Sequence, residues 1–218
     1  MLQPATLDFL RKLSKNNNKP WFDEQRDVYD VARKDFAAFA DKLLKEMTAL
    51  EPALGTQSAK DCVYRIFRDV RFSNDKTPYK SHFGAFFARG GRKWDGAGYY
   101  LHLEPGKIFV GGGLWMPQAP LLKAVRQEID YHFDDFRQII EDKKFKKTFP
   151  KIDGEALVKA PQGYDPVNPA IEFLKKKSFT TGHKMEDADL TAKDAIKKVM
   201  GVYATLKPFI DFLNRSQE

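Results

Sequence analysis

The sequence predicts an α+β fold, in which an antiparallel β-meander of four or more strands, at about residues 62–115, packs against N-terminal and C-terminal helices. Three changes of pattern lead to this prediction. Apolar residues recur every three or four positions up to Met47, alternate with a period of two through the meander, and recur with a period of 3.6 after Pro117. A length of 218 residues fits a single domain over residues 1–218.

Two helices are predicted before the sheet. The first covers residues 4–13 and ends at residues 16–20, an asparagine-rich segment that contains a proline. The second covers about residues 21–47, and its apolar residues form one stripe: Ala32, Phe36, Phe39, Leu43 and Met47. We expect this stripe to pack into the core.

The predicted strands cover residues 62–72, 82–89, 98–104 and 107–115. Residues 104–107 fit a type II turn, because Pro105 presets φ and Gly106 accepts a positive φ, so the last two strands form a hairpin. A glycine-rich loop, residues 89–96, joins the second strand to the third.

Helices return after the sheet. An apolar stripe covers residues 122–140, an irregular stretch rich in proline and glycine covers residues 149–168, and residues 178–183 form a short edge strand. The last helix is expected to open with Thr191 as its N-cap, and Pro208 is expected to kink it.

The most unusual segment is residues 65–79, which holds three arginines, two aspartates, a lysine and a tyrosine among apolar residues. If residues 62–72 form a regular strand, Arg68 shares a face with hydrophobic and aromatic neighbours. An arginine that faces the core needs a partner or a ligand, because an unpaired buried charge is strongly destabilising. Charges spaced in this way are either paired in place or hold something negative.

The leading hypothesis is a binding site for a small anion that carries a phosphate or a carboxylate. Its candidate residues are Arg65, Arg68, Asp69, Arg71, Lys76 and Tyr79. Arg68 and Arg71 would clamp the oxygens of the anion through paired hydrogen bonds, and Lys76 would act as a point charge. Tyr79 would donate a hydrogen bond or act as a general acid, while Asp69 would orient an arginine or act as a base.

The structural alternative is a network of ion pairs, in which Arg65 pairs with Asp69 and Arg71 pairs with Asp75. Against it, five cations of this region, with Lys80 included, face only two aspartates. The sequence leaves both interpretations open. It contains no identifiable pair of nucleophile and base, and so it indicates no reaction.

The same residues resemble a known family. The spacing Arg65-x-x-Arg68-Asp69-x-Arg71-Phe72-x-x-Asp75-Lys76-x-x-Tyr79 is similar to the signature of DUF2461, an uncharacterised bacterial family. Segments at residues 17–22, 111–117 and 161–164 support the resemblance, which covers nearly the whole chain. The resemblance implies a cytoplasmic protein of about this length, and it supplies no established activity, ligand or cofactor for these positions.

Histidines give a second candidate site. In an antiparallel pairing across the loop 89–96, His82 falls near His102 and Glu104, and the last two residues point to the same side of their strand. Together the three side chains would make a metal cluster, although a structural or surface role is more common for such histidines. The sequence therefore predicts no metal ion and no cofactor.

Two further features suit other kinds of protein. The basic loop with Trp94, together with Tyr99, would suit nucleic acid through phosphate contacts and base stacking. The glycines at 111–113 leave room for another backbone, for a packed helix or for an anion. The remaining alternative is a non-enzymatic scaffold that binds partners through its long helices.

Composition limits the partners and the compartment. The net charge of +7 favours anionic partners weakly. The single cysteine, Cys62, excludes an internal disulfide and is expected to be a buried, inert thiol. No signal-peptide pattern is visible, and no apolar run approaches the roughly 20 residues that span a bilayer. We therefore expect a cytoplasmic protein without membrane contact, and the sequence indicates no oligomeric state.

Overall fold

The computed structural model describes residues 1–217 and confirms the α+β class. Its helices and strands are α1 (Pro4–Lys15), α2 (Lys19–Glu24), α3 (Arg26–Leu50), α4 (Ala59–Cys62), β1 (Phe83–Phe87), β2 (Gly98–Leu103), β3 (Phe109–Leu114), α5 (Ala119–Tyr131), α6 (Phe133–Glu141), α7 (Lys143–Thr148), α8 (Ile171–Leu174), β4 (Phe179–Lys184), α9 (Asp187–Thr191) and α10 (Ala195–Asn214). The strands form one antiparallel sheet in the order β1-β2-β3-β4. None of the helices in the described part of the chain has both the length and the apolar character to cross a bilayer.

The described chain groups into two compact units. The first unit contains Met1–Arg92, Tyr100–Val110 and Lys184–Gly201. The second unit contains Lys93–Tyr99, Gly111–His183 and the described residues from Val202 onward. The expectation that residues 1–218 form a single domain stays a prediction.

Aromatic side chains build the core of the first unit. Phe9 of α1, Phe22 of α2 and Phe36 of α3 are all at most 2% exposed. Phe83 of β1 stacks on Phe9 and on Phe36, with ring centroids 6.5 and 5.2 Å apart. The apolar stripe predicted for the long helix lies in this core, since all five of its residues are buried.

The helix predicted over residues 21–47 is in fact two helices, α2 and α3. Asn18 caps α2, because its side chain accepts a hydrogen bond from the N–H of Trp21 at 3.0 Å. Pro20 lies in the first turn, where its missing N–H leaves no helical hydrogen bond unmade. Gln25 leaves the helical conformation, with φ −97° and ψ 16°, and so separates the two helices.

The predicted strand over residues 62–72 is not formed. Cys62 instead ends the short helix α4, at whose start Asp61 accepts hydrogen bonds from the N–H and the hydroxyl of Ser58 at 3.0 and 2.9 Å. The segment that follows makes only isolated antiparallel bridges, which join Val63 to Ala85 and Phe67 to Tyr79.

A mismatch in backbone pairing interrupts this strand. The N–H of Tyr64 donates to the carbonyl of Gly84. The N–H of Lys80 donates to the carbonyl of Ile66. Between these two hydrogen bonds the chain advances two residues from Tyr64 to Ile66, but four residues from Lys80 to Gly84. The extra residues leave the ladder as a bulge, called here the 81–82 bulge: Ser81 and His82.

The other predicted strands are present. β1, β2 and β3 lie within their predicted ranges, and β4 is the edge strand expected at about residues 178–183. The predicted turn before β3 also forms, because the N–H of Lys107 donates to the carbonyl of Glu104 at 2.8 Å and Gly106 has a φ of 76°.

Aromatic residues also build the core of the second unit. Phe136 of α6 packs against Phe209 and Phe212 of α10, with ring centroids 6.1 and 5.1 Å apart. Tyr203 of α10 packs on Tyr99 of β2 at 5.1 Å, and both tyrosines are almost completely buried. The aromatic residues of α10 therefore face a core.

The last helix begins later than predicted. Thr191, the expected N-cap, is the last residue of α9, and α10 begins at Ala195. Asp189 caps α9 by accepting a hydrogen bond from the N–H of Glu186 at 2.9 Å. Pro208 lies inside α10, which continues through it.

The three glycines of β3 allow neighbouring backbones to approach closely. Cβ atoms at positions 111, 112 and 113 would collide with backbone carbonyl oxygens of the two adjacent strands, those of Thr181, Gly98 and Phe179, respectively. Gly113 also has a φ of 125°, which residues with a side chain rarely adopt. Close backbone contact is therefore one of the expected roles that the structure shows. Room for a packed helix is another, because a Cβ at Gly112 would also lie 3.0 Å from the side chain of Leu206 in α10.

We expect Gly113→Ala to lower the free energy of unfolding by about 2 kcal/mol or more, because the methyl group meets the β4 backbone and requires a strained φ. Gly201→Ala is the matched control. A Cβ at Gly201 would meet no atom within 4 Å, and alanine favours a helix over glycine by about 1 kcal/mol. Urea unfolding measures both variants, and equal effects would contradict the packing role of Gly113.

Candidate functional site

Arg68 closes a loop over residues 69–77. Its side chain is only 24% exposed, forms an ion pair with Asp75 and donates a hydrogen bond to the hydroxyl of Thr77. Asp75 also accepts hydrogen bonds from the N–H and the hydroxyl of Thr77 at 2.9 and 2.8 Å. Hydrogen bonds from Arg68 and then from Thr77 lower the pKa of Asp75 to about 2. Arg68 is therefore held by groups of its own loop.

Arg71 and Asp69 pair with each other at the surface. Arg71 donates through Nε and Nη2 to the two carboxylate oxygens of Asp69, at 3.0 and 2.7 Å. These hydrogen bonds lower the pKa of Asp69 below its usual value. The pairs that the sequence suggested, Arg65 with Asp69 and Arg71 with Asp75, are not the ones formed. Each aspartate of the motif thus neutralises one arginine.

Lys76 and Tyr79 stabilise the loop and the core. Nζ of Lys76 donates to the carbonyl of Val70 at 3.0 Å. Tyr79 is buried, its ring stacks on Phe22 at 3.9 Å between centroids, and its backbone makes two hydrogen bonds with the side chain of Asn17. Burial raises the pKa of the Tyr79 hydroxyl, which makes it a weaker acid at neutral pH.

The side chains of two cations in this region make neither a hydrogen bond nor an ion pair with any described residue. Arg65 is exposed, and its side chain makes no hydrogen bond or ion pair within residues 1–217. Lys80 is half-buried, and its Nζ lies 5.4 Å from the ring centre of Tyr64. Burial lowers the pKa of Lys80, and the positive charges of Arg65 and Arg68 lower it further. Sequence reasoning counted Lys80 among the cations but left it out of the site, because it follows the motif.

The 81–82 bulge brings His82 to the side chains of His102 and Glu104. One ligand atom from each of the three residues lies within 4.8 Å of the other two. Nε2 of His102 lies 3.2 Å from Oε2 of Glu104, and the ring centroids of the two histidines are 4.3 Å apart. The proximity of these three residues, expected from strand pairing, is confirmed.

Three polar groups surround this cluster. The hydroxyl of Tyr100 lies 3.3 Å from Nδ1 of His102. The hydroxyl of Ser81 donates to Oε1 of Glu104 at 3.2 Å, and Nζ of Lys107 donates to the same oxygen at 3.4 Å. Sequence reasoning missed Tyr100, although the period of two along β2 places it on the same face as His102.

The two imidazoles are neutral and the carboxylate is ionised near neutral pH. Burial and then the charge of His102 lower the pKa of His82 to about 4. Burial also lowers the pKa of His102, against the opposing effect of Glu104. Burial acts to raise the pKa of Glu104, but hydrogen bonds from His102 and Lys107 outweigh it and lower that pKa. Neutral imidazole and ionised carboxylate are the forms that bind metal ions.

The loop that suggested nucleic-acid binding is fixed against α4. Gly91 is buried, and a Cβ there would come within 2.6 Å of the carbonyl oxygen of Asp61. The guanidinium of Arg92 donates to the carbonyl of Lys60. Tyr99, which the sequence suggested for base stacking, is only 1% exposed, so a base cannot reach its ring.

Cys62 is the buried, inert thiol that the sequence predicted. It is fully buried, and its Sγ donates to Oε1 of Gln57 at 3.5 Å. Burial raises the pKa of the Cys62 thiol to about 12. Almost no thiolate is present at neutral pH, which excludes this residue as a nucleophile.

Comparison with known proteins places the chain in one family. The family described as conserved hypothetical protein (DUF2461) matches residues 5–212. Neither the curated proteins nor the solved structures gave a significant match. Because the family match covers nearly all of the 218 residues, the chain belongs to the DUF2461 family.

We expect Arg68→Ala to lower the free energy of unfolding by about 1 to 2 kcal/mol, because Asp75 and Thr77 lose their shared donor and the loop opens. Arg71→Ala is the control and should leave the unfolding midpoint nearly unchanged, since the side chain of Arg71 is 76% exposed whereas that of Arg68 is 24% exposed. Urea unfolding at neutral pH measures both variants. Equal losses in the two would contradict the closing role of Arg68.

The stabilisation by Asp75 also depends on pH. Its pKa is about 2 in the folded protein and 3.8 without partners, so the paired carboxylate stabilises the fold above that higher value. This contribution is lost as the pH falls toward the folded pKa, because the unfolded chain then binds more protons. The stability difference between wild type and Arg68→Ala should therefore shrink below about pH 4. A difference that stays constant under acid conditions would contradict this role of the ion pair.

Proposed function

We propose that this member of the DUF2461 family binds a small anion with a phosphate or carboxylate group at a basic site formed by Arg65 and Lys80, beside Arg68. The observation that carries the proposal is the position of Lys80. Its half-buried ammonium has no carboxylate partner among the described residues, and two guanidinium groups lie within electrostatic reach. Positive charge held in this way is destabilising until a negative group neutralises it.

The backbone holds the basic site in place. The N–H of Lys80 donates to the carbonyl of Ile66 at 2.8 Å, and the N–H of Arg68 donates to the carbonyl of Pro78 at 2.9 Å. Arg68 and Lys80 are therefore neighbours on two paired backbone segments. The ring of Tyr64 supports the ammonium of Lys80 from one side.

Arg65 and Lys80 offer an anion two different contacts. The guanidinium of Arg65 can donate two parallel hydrogen bonds to one phosphate or carboxylate, while the ammonium of Lys80 adds a compact point charge. Arg65 is exposed and can adjust to the ligand, whereas half-buried Lys80 is already positioned. Two positive charges match a phosphate dianion.

The proposed site is narrower than the one that the sequence suggested. Arg71 and Lys76 already bond within their own loop, and Tyr79 packs in the core. Asp69 accepts hydrogen bonds from Arg71, so it is already engaged within its own loop. Arg65 remains from the original set as a direct ligand.

Isothermal titration calorimetry with inorganic phosphate tests the proposal. We expect Arg65→Met and Lys80→Met each to weaken phosphate binding at least about tenfold, which corresponds to about 1.4 kcal/mol. Each substitution removes one charge and keeps most of the apolar stem. Lys76→Met and Arg71→Met are the matched controls, because their side chains are held within the loop, and they should change the affinity less than about twofold.

Two outcomes would overturn the basic site. One is wild-type protein that does not bind phosphate at low ionic strength, where an exposed charge is least screened. The other is an equal loss of affinity in all four variants, which would indicate general attraction to surface charge. Circular dichroism of each variant shows whether the fold is kept.

The lowered pKa of Lys80 gives an independent prediction. More of its amine is neutral at a given pH than that of a lysine with an ordinary pKa. We therefore expect an amine-acylating reagent to modify Lys80 faster than exposed Lys76 at about pH 8, and phosphate to slow only the reaction at Lys80. Peptide mass spectrometry measures both rates. Modification of Lys80 at a rate that phosphate does not change would count against the proposal.

A further inference from the structure

We infer that His82, His102 and Glu104 form a binding site for one divalent transition-metal ion of the zinc class. Two imidazoles and one carboxylate are an established three-residue ligand set for zinc, and imidazole also suits copper, iron and nickel. The inference stands apart from the proposed basic site, because the two sites share no residue.

The ligand atoms are already close enough to meet at one ion. All three lie within 4.8 Å of one another, and Nε2 of His102 is 3.2 Å from Oε2 of Glu104. In a tetrahedral site with bonds of about 2.1 Å, two ligand atoms are about 3.4 Å apart. Small rotations of His82 therefore bring its ring nitrogen to the spacing that the other two ligands already have.

Of the three proposed ligands, His82 is the one whose side chain is not held by hydrogen bonds to other residues. Its side chain makes no hydrogen bond with any residue that the structure describes, and its ring lies against the ring of His102. The ring nitrogens of His82 are not buried, so they remain accessible to solvent and can bind a ligand without losing a protein partner. The 81–82 bulge removes His82 from the backbone ladder and places it at this cluster, where it can bind a metal ion.

The groups around the cluster can support the metal-bound form of His102. In the structure Nε2 of His102 lies within hydrogen-bond distance of Glu104, and a metal ion bound at Nε2 would replace that contact and leave the ring proton on Nδ1. A tyrosine hydroxyl both donates and accepts, so Oη of Tyr100 can accept a hydrogen bond from Nδ1–H in that form. Ser81 donates to Oε1 of Glu104, which leaves Oε2 facing His102. A Cβ at Gly84 would lie 2.7 Å from Oη of Tyr100, so the glycine is what allows Tyr100 to reach its position.

Two lysines lie in the electrostatic surroundings of the cluster. Lys107 donates to Oε1 of Glu104 at 3.4 Å, but its side chain is 75% exposed and can turn into solvent when a cation binds. The charge of Lys80 acts on His82. With three protein ligands, one coordination position of a tetrahedral ion stays open for water or for an atom of a substrate.

Zinc titration of the full-length protein, after treatment with a chelator and dialysis, tests the inference by calorimetry. We expect a single site per chain. His82→Ala and Glu104→Gln should each weaken zinc binding more than about 100-fold, because each removes a direct ligand, and Tyr100→Phe should weaken it about tenfold. His132→Ala is the matched control, since it removes an exposed histidine outside the cluster, and it should leave the affinity unchanged.

Cobalt(II) gives a readout that does not depend on the folding of any variant. Bound in a tetrahedral site of nitrogen and oxygen ligands, it absorbs visible light far more strongly than hydrated cobalt does. We expect such a band with wild-type protein and its loss when zinc is added. The inference is overturned if wild-type protein gives no band, or if zinc binding survives both ligand substitutions. Arg65→Met should keep its zinc affinity, so failure of the basic site and failure of the metal site are distinguishable.

Discussion

The mismatch in backbone pairing at the 81–82 bulge is the constraint on which both candidate sites depend. Short ladders on either side of it hold Tyr64 to Gly84 and Ile66 to Lys80, and the extra residues between them cannot join either ladder. One of these residues, His82, therefore turns to the face of β2 that carries the histidine cluster. Lys80 is the last paired residue before the bulge and stays half-buried beside the basic motif. A single irregularity of the backbone thus positions an ammonium group and an imidazole.

Much of the fold follows from periodicity, because burial repeats along helices and strands. The apolar stripe of α3 and the alternation of β2 identified buried faces correctly, and that alternation also brought His102 and Glu104 to one side. The predicted strand over residues 62–72 is wrong. Alternating charged and apolar residues are typical of a strand, but a strand also needs a neighbouring segment that pairs with it in register, and the sequence does not show that register. A local signal was present, since Ser58 and Asp61 have the spacing of a helix cap. The bulge itself depends on a distant partner and leaves no local pattern.

Ion pairs in the candidate site were equally hard to predict from the sequence. The cations and carboxylates of the motif can be counted, but which of them form ion pairs depends on how the loop folds. Arg68 reaches Asp75 across the loop, and this contact leaves Asp69 to Arg71. Arg65 then makes no hydrogen bond or ion pair with any described residue, although its charge still acts on Asp69, and no spacing rule could have shown this. Lys80 stands outside the motif in sequence and becomes part of the site only through the backbone pairing with Ile66.

The close approach of Gly84 and Tyr100 limits how the family can diversify. A methyl group at position 84 would occupy the space of the phenol oxygen on the adjacent strand. A larger residue at position 84 would push the phenol oxygen aside or favour a shorter residue at position 100, and in either case the contact with the imidazole ring of His102 would be lost. We therefore expect the residues at positions 84 and 100 to covary among relatives, which should either retain both or replace both. A relative that retains both residues also retains this face of the sheet.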